Sequence, residues 1–330
     1  MSKKSCLISS VIALVIVIII VACGLVCMLL SKVVSDYDFD ASRVAEEKVI
    51  EKGGDDKIAI IKIEGTIMDT DTSSSLLGTS YASSQQIIKY LNYVIEDDSI
   101  KGVILSIDSP GGDVYATDIV YNKVEEVQSY GKKVVTLMKN TAASGGYYIA
   151  AGTDKIVASP ITITGSIGVR ADVQSLDGLY EKLGIETRTF TNSGGNYKTG
   201  EGYFDDNPDG EEDEILQTII DEYFDRFVNI VSEGRGMEKD ELLEYADGRI
   251  FSGTQAKEKG LIDDLGGYEL ALESVESLAG ISNATVVEYQ ENNFWTSLAG
   301  YVSNVVNPTA SVIKLIDPTP GVKLKYLYTK

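Results

Sequence analysis

The chain has 330 residues and not one histidine. That absence excludes a Ser-His-Asp or Cys-His catalytic unit, an imidazole-ligated zinc and a histidine pH switch. Cysteine is nearly as scarce. Cys6, Cys23 and Cys27 all lie within the first 27 residues, so the rest of the chain holds no disulfide framework and no CxxC redox motif. Basic residues are the minority, 29 against 50 acidic, for a formal net charge of -21. A chain so acidic lacks the basic patches that neutralise phosphates, which argues against nucleic acid as a partner. A hydrolase of this composition has to move its protons through lysine, carboxylate or tyrosine.

What is present begins with an apolar run. From Leu7 to Leu30 there are 24 residues without a charge, centred on Val11-Ile12-Ala13-Leu14-Val15-Ile16-Val17-Ile18-Ile19-Ile20. At about 1.5 Å per residue such a helix crosses about 30 Å of hydrocarbon. Lys3 and Lys4 precede it and Asp36, Asp38 and Asp40 follow Lys32, which places the N-terminus in the cytoplasm and the remainder outside. The run is longer than the apolar region of a cleaved signal peptide. Ile20-Val21-Ala22-Cys23 resembles a lipoprotein signal with Cys23 as the lipidated residue, but the apolar stretch continues past it to Leu30. The first reading is an uncleaved single-span anchor, with lipidation as the alternative. Removing residues 1–35, with three lysines and no acid, leaves 26 basic and 50 acidic residues, or -24.

The organisation that follows is an anchor with a short cytoplasmic N-terminus over 1–32, a charged stalk over 33–56, a globular domain over 57–290 and a tail over 291–330. Within the domain, strand and helix patterns alternate. Lys57 to Ile63, Gly102 to Ile107, Lys133 to Met138 and Lys155 to Ala158 read as strands. Gln85 to Asp97, Tyr115 to Ser129, Ser144 to Ala151 and Glu211 to Glu233 read as helices. This order predicts an α/β domain with largely parallel strands buried on both faces. The Gly-, Asn- and Asp-rich stretch 191–210 reads as a long functional loop.

Four features bear on chemistry. In Thr141-Ala142-Ala143-Ser144-Gly145-Gly146-Tyr147-Tyr148, a serine flanked by small residues opens a helix, where amide donors and a partial positive charge stabilise developing anions. Its simpler reading is an N-cap. Asp108-Ser109-Pro110-Gly111-Gly112 ends a strand, and its glycines either let a carbonyl approach backbone N–H groups or form an ordinary turn. Thr164-Gly165-Ser166-Ile167-Gly168-Val169 is a second small, hydroxyl-bearing turn. Between Arg188 and Arg226 the sole basic residue is Lys198, which a histidine-free serine hydrolase could use as a base if desolvation lowers its pKa. A loop lysine is otherwise a solvated surface residue.

Taken together with Asp247-Gly248-Arg249-Ile250-Phe251-Ser252-Gly253, these motifs resemble, in order and across roughly residues 57–290, the single-repeat form of bacterial signal peptide peptidase A. The resemblance implies a Clp-protease/crotonase-like α/β fold of repeated β-β-α units and a Ser/Lys dyad. Ser144 matches the nucleophile, Lys198 the general base and Ser166 the hydroxyl that orients it. The Gly112 N–H, with that of Ser144, matches the oxyanion hole. The stretch Ser193 to Lys198 is one residue longer than the family's usual spacing. The resemblance further implies no metal, nucleotide or other cofactor, substrates that are signal-peptide remnants and similar apolar peptides, and a homo-oligomer whose subunits share sites. Alternatives are a related membrane protease that trims a stomatin-like partner, a catalytically silent scaffold, and crotonase-type acyl-CoA chemistry. The apolar tail is expected to pack between subunits, or to enter a groove as a substrate does.

Overall fold

The computed structural model describes residues 45–70, 81–173, 177–186, 190, 192–193, 195, 210–291 and 323–327. The expected anchor at 7–30, Cys23 and Lys198 lie outside the described residues, and no described helix is long and apolar enough to cross a membrane. The chain divides into two compact units, Met1–Glu46 and Glu47–Lys330. The architecture below is that of the second, with Ala45 and Glu46 named only as the first residues of β1.

In chain order the elements are β1 (Ala45–Glu51), β2 (Lys57–Glu64), β3 (Thr66–Met68), β4 (Tyr81–Ser83), α1 (Ser84–Glu96), β5 (Ile100–Ser109), β6 (Gly111–Asp113), α2 (Val114–Ser129), β7 (Lys133–Ala143), α3 (Gly145–Ala151), β8 (Lys155–Ala158), β9 (Ile163–Gly165) and β10 (Arg170–Asp172). There follow α4 (Asp177–Leu183), α5 (Glu211–Arg235), α6 (Lys239–Leu243), β11 (Ile250–Ser252), α7 (Gly253–Glu258), β12 (Asp264–Leu265), α8 (Tyr268–Ala279), β13 (Thr285–Glu291) and β14 (Lys323–Leu327). The predicted α/β class holds.

The main sheet runs β1-β13-β2-β5-β7-β8-β12, with β9 beside the end of β7 and β11 beside β9. The ladders from β13 through β2, β5, β7 and β8 to β12 are parallel, and β11 is antiparallel to β9. The central strand β5 is buried nearly throughout, as a parallel strand covered on both faces must be. One face carries the larger core, where Leu105, Ile107, Val120, Val124, Tyr148 and Phe227 pack together. The other meets α8, whose Ala271 and Val275 lie against Ile104, Val135 and Val157. Burying each such aliphatic side chain contributes about 1.5–3 kcal/mol.

Two segments differ from the sequence reading. The stretch expected as stalk supplies β1, an edge strand rich in charge, so the sheet begins before residue 57. The strand expected to stop at Met138 continues to Ala143, because β7 accommodates a bulge instead of ending. Between the pairs Ile107↔Met138 and Ser109↔Ala142, β7 advances four residues while β5 advances two. That irregularity carries the chain to Ser144.

A second sheet has the order β10-β14-β6-β3-β4. Strands β5 and β2 each hand over to it through a short strand, β6 and β3, before a helix follows.

Candidate active site

Ser144 sits at the point where β7 turns into α3, with φ 52° and ψ -117°. It occupies the N-cap position, yet its side chain makes no capping hydrogen bond, so the simpler reading of this serine fails. Among the described residues the non-glycine positions with positive φ are Ser144, Ser166 and Asn283. Two of these three are serines singled out from the sequence. Backbone strain of this kind persists only where its surroundings enforce it.

The enforcement is visible. The Ser144 N–H donates to the Gly165 carbonyl at 2.8 Å, extending the parallel ladder of β7 with β9 past Ala143. Gly165 itself has φ 79°, and Ser166 follows at φ 53° with its N–H donating to the Arg249 carbonyl at 2.8 Å. Ile250 pairs with Gly165 and Phe251 with Thr164. A Cβ on Gly165 would stand 2.6 Å from Phe251 Cδ2, so the ring closes over the turn because no side chain is there. Asp247 and Arg249 form an ion pair, and the guanidinium pulls the Asp247 carboxyl down to about 2. The Asp-Gly-Arg-Ile-Phe-Ser-Gly motif thus backs the Ser166 turn.

Helix α3 is anchored by its two tyrosines. The Tyr147 hydroxyl donates to Leu261 O at 2.8 Å, and burial pushes that phenol's pKa upward, keeping it a neutral donor. The Tyr148 hydroxyl donates to Asp118 Oδ1 at 2.5 Å, and the same oxygen accepts from Arg226 Nε at 2.7 Å. Neighbours on α2 and α5 therefore hold the helix that Ser144 opens.

Gly112 lies directly beside this turn. A Cβ on Gly145 would fall 3.2 Å from Gly112 N and 2.7 Å from Thr117 Oγ1. A Cβ on Gly112 would collide with Ile67 O at 1.9 Å. Both positions demand glycine because backbones approach closely there. The structure brings Ser144, Ser166 and Gly112 into one neighbourhood. It corrects one expectation: the Ser144 N–H, committed to Gly165, is not free for an oxyanion. Gly145 is the first helical residue, so its N–H has no acceptor within the helix. The sequence reading did not single out Gly145, although the residue after a serine at a strand-to-helix turn can offer such a donor.

The position of β14 completes the site. Lys323–Leu327 runs antiparallel to β6 with Lys325↔Asp113, Tyr326↔Gly112 and Leu327↔Gly111. On its other side it is antiparallel to β10, with Arg170↔Lys325 and Asp172↔Lys323. An extended peptide segment is thereby held by backbone pairing on both flanks, next to Gly112 in the sheet.

The chain is similar to several known proteins. A profile of Peptidase family S49 matches residues 126–282, and one of Clp protease matches residues 75–162. A chain of Enterococcus faecium named for signal peptide peptidase SppA is 36% identical over 254 residues, which is 77% of this chain and 73% of that one. This protein belongs to peptidase family S49. It is a serine endopeptidase. Similarity extends to Protease 4 of Haemophilus influenzae, 33% identical over 70% of this chain and 36% of that protein. The chloroplastic serine protease SPPA of Arabidopsis thaliana is 33% identical over 83% of this chain and 41% of its own length.

An S49 peptidase without histidine needs another base. Lys132 is the one described lysine whose pKa is lowered, by burial, but its ammonium donates to the carbonyls of Asp97 and Ile100. Those carbonyls flank the start of β5, at the opposite end of the parallel strands from Ser144. Lys132 is therefore too far along the sheet to serve.

Proposed function

We propose that this S49 endopeptidase is anchored in the bacterial cell membrane through residues 7–30, with its catalytic unit on the extracytoplasmic side. Its substrates are signal-peptide remnants and similar apolar peptides. The observation that carries the peptide reading is the antiparallel seat of Lys323–Leu327 on Gly111–Asp113. A groove that pairs with backbone on both sides takes an extended chain of varied sequence, as strand addition does. The name of the E. faecium relative supports signal peptides as the class.

The chemistry proceeds through an acyl-enzyme. The neutral Lys198 amine takes the Ser144 Oγ proton as Oγ adds to the scissile carbonyl, while the hydroxyl of Ser166 orients that amine. The resulting oxyanion is held by the N–H groups of Gly112 and Gly145. Collapse breaks the C–N bond, and the lysine returns its proton to the departing amine. Water, deprotonated by the same lysine, then attacks the ester and frees Ser144. No residue in this sequence of steps requires a metal or nucleotide. Subunits of a homo-oligomer are expected to border each site.

The tail's seat also supports the reading that the chain's own C-terminus visits the groove as a substrate does. Peptide hydrolysis by the full chain in detergent, with Ser144→Ala and Lys198→Ala tested separately, decides the central point. Both are expected to abolish turnover. Full activity in Ser144→Ala would end the proposal; full activity in Lys198→Ala would remove only that base.

A further inference from the structure

We propose that Ser109 is a positioning residue that sets the oxyanion-binding amide of Gly112; the inference rests on the reading that Ser144 attacks at this site. Ser109 is fully buried. Its hydroxyl donates to Gly65 O at 2.7 Å and accepts from Gly111 N–H at 3.1 Å. A serine hydroxyl has one proton, so donation to Gly65 leaves a lone pair for the Gly111 amide and closes a turn over Pro110. Pro110 restricts its own φ and brings no N–H of its own. The peptide plane that enters Gly111, where φ is 95°, is therefore fixed from both ends.

The second tie fixes where that turn sits. The Gly65 N–H donates to Asp108 O at 2.9 Å, so the peptide planes on either side of Gly65 are held, one by Asp108 and the other by Ser109. β3 begins at the next residue, and its Ile67 pairs with Gly112. A Cβ on Gly112 would stand 1.9 Å from Ile67 O, so a small shift of β3 moves Gly112 with it. One buried hydroxyl thus couples the turn before Gly112 to the strand beside it. Ser109 touches neither the substrate's reacting carbonyl nor Ser144 Oγ in this scheme; it acts through the Gly112 amide. Asp108 has a separate task, because its carboxylate accepts Thr141 N–H at 3.1 Å and Asn140 Nδ2 at 2.9 Å within the β7 bulge.

The test compares Ser109→Ala and the near-isosteric Ser109→Cys, whose thiol hydrogen-bonds weakly, with the wild-type full chain. A Thr136→Val variant serves as a control, because Thr136 is a buried hydroxyl at the other end of β7. The readouts are kcat and KM on a chromogenic peptide, affinity for a peptide boronate that mimics the tetrahedral adduct, and Tm. Loss of an oxyanion donor costs about 100–1000-fold in kcat, so its misplacement is expected to cost about 10–100-fold. In Ser109→Ala, kcat and boronate affinity should fall together while KM stays within about threefold; Ser109→Cys should fall between. Wild-type kcat and boronate affinity in Ser109→Ala would overturn the proposal. So would an equal kcat loss in Thr136→Val at matched Tm, which would make the effect one of stability. Should Ser109→Ala fail to fold, Ser109→Cys with unchanged kcat and boronate affinity is the overturning result. Turnover that survives in Ser144→Ala would instead fault the site itself.

Discussion

The backbone N–H of Ser144 donates to the carbonyl of Gly165 at 2.8 Å, and Gly165 is the residue immediately before Ser166. One hydrogen bond therefore ties Ser144 to the residue before Ser166, the other left-handed serine, 22 positions further along the chain. It fixes the Ser144 turn to the turn that leads into Ser166. It also commits the Ser144 amide, so the oxyanion hole proposed above draws on Gly112 and Gly145 instead.

The strain at Ser144 should be measurable. Glycine tolerates φ 52° and ψ -117°, whereas any L side chain there is held against its preference. Ser144→Gly is expected to be inactive yet more stable than the wild type, by on the order of 1 kcal/mol after glycine's extra unfolded entropy is subtracted. Chemical denaturation of the two proteins checks this, and a less stable glycine variant would contradict it.

Gly145→Ala should lower kcat about 100-fold, since the new methyl meets Thr117 Oγ1 and Gly112 N inside normal contact distance. Adding Thr117→Ala removes the nearer obstruction, and part of the lost rate should return. Steady-state kinetics on the single and double variants give the answer. No recovery in the double variant would place the damage at the Gly112 amide alone.

The C-terminal strand and an added peptide compete for one groove if Lys323–Leu327 occupies it in solution. Deleting residues 321–330 should then lower the apparent KM for a short fluorogenic peptide about 3–10-fold with little change in kcat, as expected when a fractionally closed site becomes fully open. A synthetic peptide of residues 323–330 should restore inhibition competitively. An unchanged KM on deletion would show that the tail does not hold the groove.

Asp97 provides a pH test away from the site. Burial raises its carboxyl pKa, but hydrogen bonds from Ser99 and the Lys57 ammonium outweigh this and leave it below 3.8. A folded-state pKa below the unfolded one means that the contribution is complete above about pH 4 and is lost as pH falls through the lower, folded-state value. Asp97→Asn should thus lower Tm at neutral pH, and the difference from wild type should close in acid. A gap that does not narrow as the pH falls would indicate another cause.

Much of the fold was legible in the sequence because local patterns carry it. The apolar runs at 57–63 and 102–107 and the helical stripes at 85–97 and 115–129 appear as β2, β5, α1 and α2, displaced by a residue or two at their ends. Long-range pairing was not legible. The charged segment 45–51 lacks a strand's apolar alternation, and it becomes β1 through its place at the sheet edge. The β7 bulge is a mismatch between two strands, which no single stretch encodes. Ser109 read as part of an ordinary turn, since its two partners lie in different elements.

The sequence by itself determined the chemistry available. With no histidine it left lysine, carboxylate or tyrosine to move protons, and it set Ser144 among small residues at the start of a helix. Tertiary structure decided which atoms are placed to act. Only folding brings Gly165 to the Ser144 amide, Thr117 and Gly112 to Gly145, and the last strand to Gly112. These contacts span from about 20 to more than 200 positions along the chain, and backbone hydrogen bonds between distant strands leave no periodicity in the residues that make them.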